Sequence, residues 1–167
     1  MRYKLVCACA LFAIAATATP GQTKHSFSGK CGKADVVQSI PAGDKDGHTF
    51  MLQQGKCEST GEVGGAKSKE GNFSEHDEAT GTRLKGWGVY VETFDSGDKT
   101  FYNYQTTATT KDGAFASGGN KSQITGGTGK MKGIKGMGTC KLTGNGNGGL
   151  DYACEGEYTI PAEAPKK

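Results

Sequence analysis

The chain has 167 residues, 28 of them glycine, and carries 20 basic against 17 acidic side chains, a formal net charge of +3. So much glycine excludes a long helical bundle, the balanced charge excludes a nucleic-acid-binding tail, and the length leaves room for one domain. Beyond residue 18 there are only 19 Leu, Ile, Val and Phe residues, a thin core inventory that borders on disorder without the high net charge that disorder requires.

Residues 1–18 combine a basic start (Met1-Arg2-Tyr3-Lys4), an apolar run from Leu5 to Ala16 and an A-x-A site at Ala16-Thr17-Ala18. That is the layout of a secretory signal peptide cleaved near Ala18. The run is about twelve residues, too short to span a bilayer, and no later stretch is apolar enough to do so. The expectation is therefore an exported, soluble protein of the periplasm or the extracellular space. Its domain would occupy residues 19–160 and end in a frayed tail at 161–167.

Four cysteines remain after the leader. Cys31 and Cys57 lie symmetrically about the turn Pro41–Gly47, and Cys140 and Cys154 about the turn Gly144–Gly149. Export makes disulfides the default, so Cys31–Cys57 and Cys140–Cys154 are the expected bridges. With no C-x-x-C spacing, a zinc site is not expected.

Short strands are expected at His25–Gly32, Ala34–Ile40, Thr49–Gln54 and Glu58–Val63. Gly64–Glu78 is polar, weakly periodic and reads as a loop, and its Glu75-His76-Asp77-Glu78 reads as a solvated acidic stretch, the alternative being an adventitious cation site. A strand at Gly81–Leu84 precedes a hairpin in which Trp87–Phe94 and Lys99–Thr107 flank Asp95-Ser96-Gly97-Asp98. If Phe94 pairs with Lys99, Trp87, Val89 and Val91 share a face with Tyr102 and Tyr104, and that face is the expected core. The other face then holds Tyr90, Glu92, Asn103 and Gln105. Directed outward, as the core assignment implies, these form a surface or an oligomer contact with Phe94 and Phe101. Directed inward, they would line a ligand site in which a buried Glu92 beside Tyr90, its carboxyl pushed upward, could act as an acid or base.

Strands at Ala114–Gly118 and Lys121–Thr125 follow. In the final hairpin, Cys140 opposite Cys154 places Leu142 against Tyr152 and Gly136 against Tyr158 on one face, with mostly polar residues on the other. Glycines opposite tyrosines leave room for rings to lie over bare backbone. About eight short strands without a convincing amphipathic helix indicate an all-β fold, a sandwich or a closed barrel.

Residues 124–138, ITGGTGKMKGIKGMG, resemble the glycine turn "TGG-[ST]-G-x-F-x-G-x-x-G" of allene oxide cyclases and dirigent proteins. Thr125–Gly129 matches the turn, Met131 stands where an aromatic is usual, and Gly133 and Gly136 match the later glycines. The stretch from about Met51 to Ile160, including Gly88–Lys99 and Cys154–Ile160, also resembles small exported bacterial proteins grouped with that barrel. The resemblance implies a single small antiparallel eight-stranded β-barrel, here stapled by disulfides. No catalytic residue of those plant proteins carries over position by position.

Other motifs read as structure. Gly126–Lys130 lacks the Ser or Thr that a phosphate loop needs after its lysine, and no G-x-S-x-G elbow is present. Asp44-Lys45-Asp46-Gly47 lacks the ligand spacing of a calcium loop. Lys130, Lys132, Lys135 and Lys141 form a solvated basic patch, and Asn72 and Asn120 begin N-glycosylation sequons. The functional expectation is a non-enzymatic barrel that binds a small hydrophobic ligand or assembles with a second copy of itself, without cofactor or nucleic acid. The alternative is an isomerase-, cyclase- or dirigent-like enzyme acting on a hydrophobic molecule inside the barrel.

Overall fold

The computed structural model describes residues 21–161; the signal peptide expected at 1–18, and all of the tail beyond Pro161, lie outside them. Among the described residues there are nine strands: β1 (Thr23–Cys31), β2 (Val36–Pro41), β3 (His48–Val63), β4 (Ala66–Thr80), β5 (Arg83–Phe94), β6 (Lys99–Lys111), β7 (Ala114–Gly127), β8 (Lys135–Gly144) and β9 (Leu150–Thr159). A single 3-10 turn, Gly129–Met131, is the only helical element among them. Every pairing is antiparallel, in the order β1-β9-β8-β7-β6-β5-β4-β3-β2. Because β1 also pairs with β3, eight strands close into a barrel and β2 is left as one extra strand. None of the described helices is long and apolar enough to cross a membrane.

Closure depends on the length of β3. Its first half pairs with β2, from Thr49 to Gln54, and its second half with β1, from Cys57 to Gly61. β1 and β2 thus follow one another along the same side of β3, like one hairpin arm interrupted at Gly32–Asp35. Cys31 faces Cys57 in that register and the two are disulfide-bonded. The second bridge joins Cys140 to Cys154, directly opposite across β8 and β9. Both expected bridges are present, as are the expected pairings Leu142 with Tyr152 and Gly136 with Tyr158.

The β5–β6 hairpin differs from its expected register. Gly97 adopts φ +83°, the left-handed conformation that turns a type I turn into a three-residue hairpin loop. Phe94 and Gly97 hydrogen-bond to each other, and the Phe94 amide donates to the Asp98 carbonyl, so Asp98 belongs to the ladder rather than to the loop. Lys99 consequently pairs with Thr93, and Tyr90 with Tyr102. A one-residue slip exchanges the faces of one strand relative to the other. Tyr90, Glu92 and Phe94 now point inward with Tyr102 and Tyr104. The expected core residues Trp87, Val89 and Val91 lie on the exterior, where Val89 is 49% exposed and Trp87 stacks on His76 with ring centroids 5.5 Å apart.

Gly64–Glu78, expected as a loop, is mostly strand. It lies largely within β4, which pairs with β3 and β5 along nearly its whole length. Its inward positions are small or acidic (Ala66, Gly71, Glu75 and Asp77, with Phe73 the one large apolar residue), and a register shift between Ser68 and Glu70 breaks the alternation. No hydrophobic period of two survives for a sequence reading to detect.

One end of the barrel is filled. Val63, Ala66, Phe94, Tyr102, Ile124 and Tyr158 converge there with Met131 and Ile134, the last two wholly buried. The glycine turn explains the plug. At Gly127 a side chain would collide with Met131 and with the Lys99 carbonyl, so bare backbone lets the chain fold tightly under β7 and tuck Met131 into the barrel. The segment that carries the family resemblance is the barrel's floor.

Candidate functional site

Above the floor the interior is hollow. A cavity of about 400 Å³ occupies the upper half of the barrel, a size suited to a small organic molecule. It reaches the rim between Gly32–Ala34, Gly113–Phe115 and Gly148–Leu150, the connections at the end opposite the floor. Phe27, Phe73 and Phe115 line it, with the rings of Tyr90, Tyr102, Tyr104 and Tyr152, and both disulfides form part of its wall. The sparse aliphatic inventory of the chain is thus replaced here by aromatic rings and sulfur.

Tyr90 and Tyr152 hang over glycine. A Cβ at Gly71 would overlap the Tyr90 hydroxyl, and one at Gly29 would overlap the Tyr152 hydroxyl. The two hydroxyls therefore meet across the barrel, 3.2 Å apart, and both reach Ser59, at 2.8 Å from Tyr90 and 2.5 Å from Tyr152. Ser59 Oγ donates to Glu92 Oε2 at 3.1 Å. With its single proton so used, Ser59 accepts from the tyrosines. Glu92 is 2% exposed and lies beneath this layer, outside the cavity lining. Burial pushes its carboxyl up to about 7, and the neighbouring hydroxyls of Tyr90, Ser68 and Ser59 act in the opposite direction. Burial likewise raises Tyr90 and Tyr152, and brings Tyr102 to about 12.

The carboxyl that faces the cavity is Glu75 on β4. The Tyr104 hydroxyl donates to its Oε2 at 2.9 Å. Burial, and then the neighbouring charge of Asp77, push Glu75 up to about 7, while the Tyr104 hydrogen bond opposes them. Asp77, two residues on and also inward, is 2% exposed. Its Oδ2 accepts from Gln53 Nε2 at 2.7 Å, its Oδ1 is buried without a donor, and burial raises its pKa. Asn120, first residue of a sequon, faces inward and lines the cavity with a buried Oδ1 that likewise lacks a donor.

The four residues grouped from the sequence are therefore divided. Tyr90 lines the cavity and Glu92 lies inward below it, which reverses the outward orientation expected for both. Asn103 and Gln105 are on the exterior, in a shallow groove with Trp87 and Val89. Sequence reasoning passed over Glu75, Asp77, Tyr104 and Ser59 as site residues. One signal was available for the first two: Phe73, Glu75 and Asp77 recur at a spacing of two, the period of one strand face. A second was the spacing of Ser59 and Tyr152, each two residues from a bridged cysteine and so on its face.

No protein-family model matches the chain, and no curated protein matches it in sequence. Among solved structures it is similar to the pterocarpan synthase dirigent protein GePTS1, at 12% identity over 90% of this chain and 91% of that chain, with a TM-score of 0.46. It is also similar to the pterocarpan synthase dirigent protein PsPTS1, at 9% identity over 88% of this chain and 98% of that chain, with a TM-score of 0.44.

Proposed function

We propose that this protein is an exported binding barrel that holds one small, ring-bearing molecule in the cavity between its floor and its rim. The observation that carries the reading is the chamber of about 400 Å³, closed below by Met131 and Ile134, walled by aromatic rings and supplied with few polar groups. Ligand sites have this character: apolar walls for affinity and a few fixed polar atoms for orientation. Glu92 supports the chamber by holding Ser59 and, through it, the two tyrosine hydroxyls, and it touches no ligand itself. Export is part of the proposal and is supported by the signal-peptide pattern at 1–18 together with the two disulfides.

Native mass spectrometry on protein purified from its own host tests both parts. The expected result is a chain lacking residues 1–18 and carrying one additional small-molecule mass. Ala114 is exposed and lines the rim of the cavity, so Ala114→Trp is expected to obstruct the mouth and abolish the added mass while leaving the circular dichroism spectrum unchanged. Loss of the leader with no bound mass in the unmodified protein would remove the binding function and leave the exported barrel.

A further inference from the structure

The charge inside the barrel is one-sided. Glu75, Asp77 and Glu92 all point inward, while every Lys and Arg among the described residues is exposed. The basic side chain in the cavity lining is Lys33, exposed and at the rim. His25 is the inward imidazole, and burial pushes its pKa down, towards the neutral form. Interior carboxylates are ordinarily matched by an internal cation or several donors. Asp77 Oδ1, Glu92 Oε1, His25 Nδ1 and Thr100 Oγ1 are buried without a partner outside the cavity lining, and within the lining the unpartnered buried atom is Asn120 Oδ1, an acceptor. The chamber's walls offer the rings of Phe27, Phe73, Tyr90, Tyr102, Tyr104 and Tyr152, whose faces attract positive charge.

We infer that the ligand is an organic cation, a small arylalkylamine, whose ammonium group lies against Glu75 on the β4 wall and whose ring fills the aromatic chamber. This rests on the reading of the cavity as a binding site and adds the chemical class of the ligand. An ammonium group brings three donors to a cavity whose lining holds the Glu75 carboxyl and the unpartnered Asn120 Oδ1. It also supplies the positive charge that the interior lacks, in surroundings where a charge-assisted hydrogen bond is strong. An anion would meet Glu75 with no buried cation beside it, and a neutral molecule would leave that carboxylate without a counter-charge.

Binding of a cation to Glu75 is coupled to the loss of its proton. Opposite Glu75 in the sheet stand Gln53 on β3 and Gly88 on β5, neither titratable. The titratable groups that bear on it are Asp77 on its own strand and Tyr104 on β6. With its carboxyl near 7 in the free protein, affinity for a cation rises with pH across neutrality, and affinity for an uncharged analogue does not.

The test is calorimetric titration of the ligand-free, disulfide-bonded protein with three molecules that share one ring system: tryptamine, tryptophol and indole-3-acetate. At about pH 8 tryptamine is expected to bind about tenfold or more tightly than tryptophol, the scale of one charge-assisted contact, and indole-3-acetate most weakly. The tryptamine advantage is expected to shrink as the pH falls below about 6, where Glu75 holds its proton. It is also expected to collapse in Glu75→Gln, which keeps the side-chain shape. Equal binding of tryptamine and tryptophol across this pH range would overturn the cation inference and leave the cavity as a binding site. Failure of all three to bind would overturn both.

Discussion

Raising the pH from about 5 to about 9 is expected to lower the unfolding free energy of the disulfide-bonded protein by several kcal/mol. Glu75 and Glu92 each have a carboxyl raised from 4.5 to about 7 in the folded barrel, in both cases chiefly by burial. Between those values the native state holds protons that the unfolded chain has released. The native state therefore binds more protons than the unfolded state, and stability falls as pH rises. The stabilisation is fully present near the unfolded value and is exhausted once the pH passes the folded value. Asp77, also raised by burial, acts in the same direction, while His25, lowered by burial, opposes the trend in the acid half of the range without outweighing the two glutamates. A shift of this size corresponds to roughly 3 kcal/mol per group, a large part of the total stability of a domain this small. Urea unfolding at a series of pH values measures it. Glu92→Gln and Glu75→Gln are each expected to remove part of the slope, since both keep the shape and discard the titration. A flat profile, or one that rises with pH, would show that these carboxyls are not buried as described.

Reduction of the two disulfides is the second large effect. The bridges close loops with sequence separations of 26 and 14 residues, and the chain-entropy account assigns roughly 3 kcal/mol to each. The Cys31–Cys57 bridge carries an additional burden because it lies at the seam where the barrel closes. β1 pairs with β9 through nine residues but with β3 through five, ending at the bridged cysteines. Cys31→Ser/Cys57→Ser is therefore expected to lower the urea midpoint more than Cys140→Ser/Cys154→Ser, and to raise hydrogen exchange first along the β1–β3 seam. Both bridges also line the cavity, so ligand affinity is expected to weaken with either loss. Equal midpoints for the oxidised and fully reduced protein would show that the strand ladders alone hold the barrel closed.

Legibility in the sequence followed the physics of each element. The β8–β9 hairpin was readable to the individual pair because Cys140, Leu142, Tyr152, Cys154 and Tyr158 alternate with polar residues on both arms. The closed, disulfide-stapled all-β barrel was likewise within reach, from cysteine symmetry, glycine placement and the segment 124–138. The β5–β6 register was not, because it turned on whether Asp98 belongs to the loop or to the ladder. That choice was made by one left-handed glycine, Gly97, and it sent Trp87, Val89 and Val91 outward and Glu92 inward. β4 escaped notice for the opposite reason. Its inward face is built of Gly71, Glu75 and Asp77, which look like loop residues until neighbouring strands enclose them. The site's cavity-facing acid was therefore hidden in the one long segment that lacked an apolar pattern. A partly polar interior had replaced the hydrophobic signal by which strands are recognised.

Two hollows compete for a small ring-bearing molecule: the aromatic chamber inside the barrel and the exterior groove that holds Trp87, Val89, Asn103 and Gln105. Titration with tryptophol followed by ¹H–¹⁵N correlation spectroscopy separates them, because an uncharged probe tests the cavity independently of the ligand's charge. The chamber predicts saturable shifts centred on Phe27, Phe73, Tyr152 and Asn120, with the Trp87 indole N–H unmoved. Shifts confined to Trp87, Val89 and Gln105, with the interior signals unchanged, would contradict it.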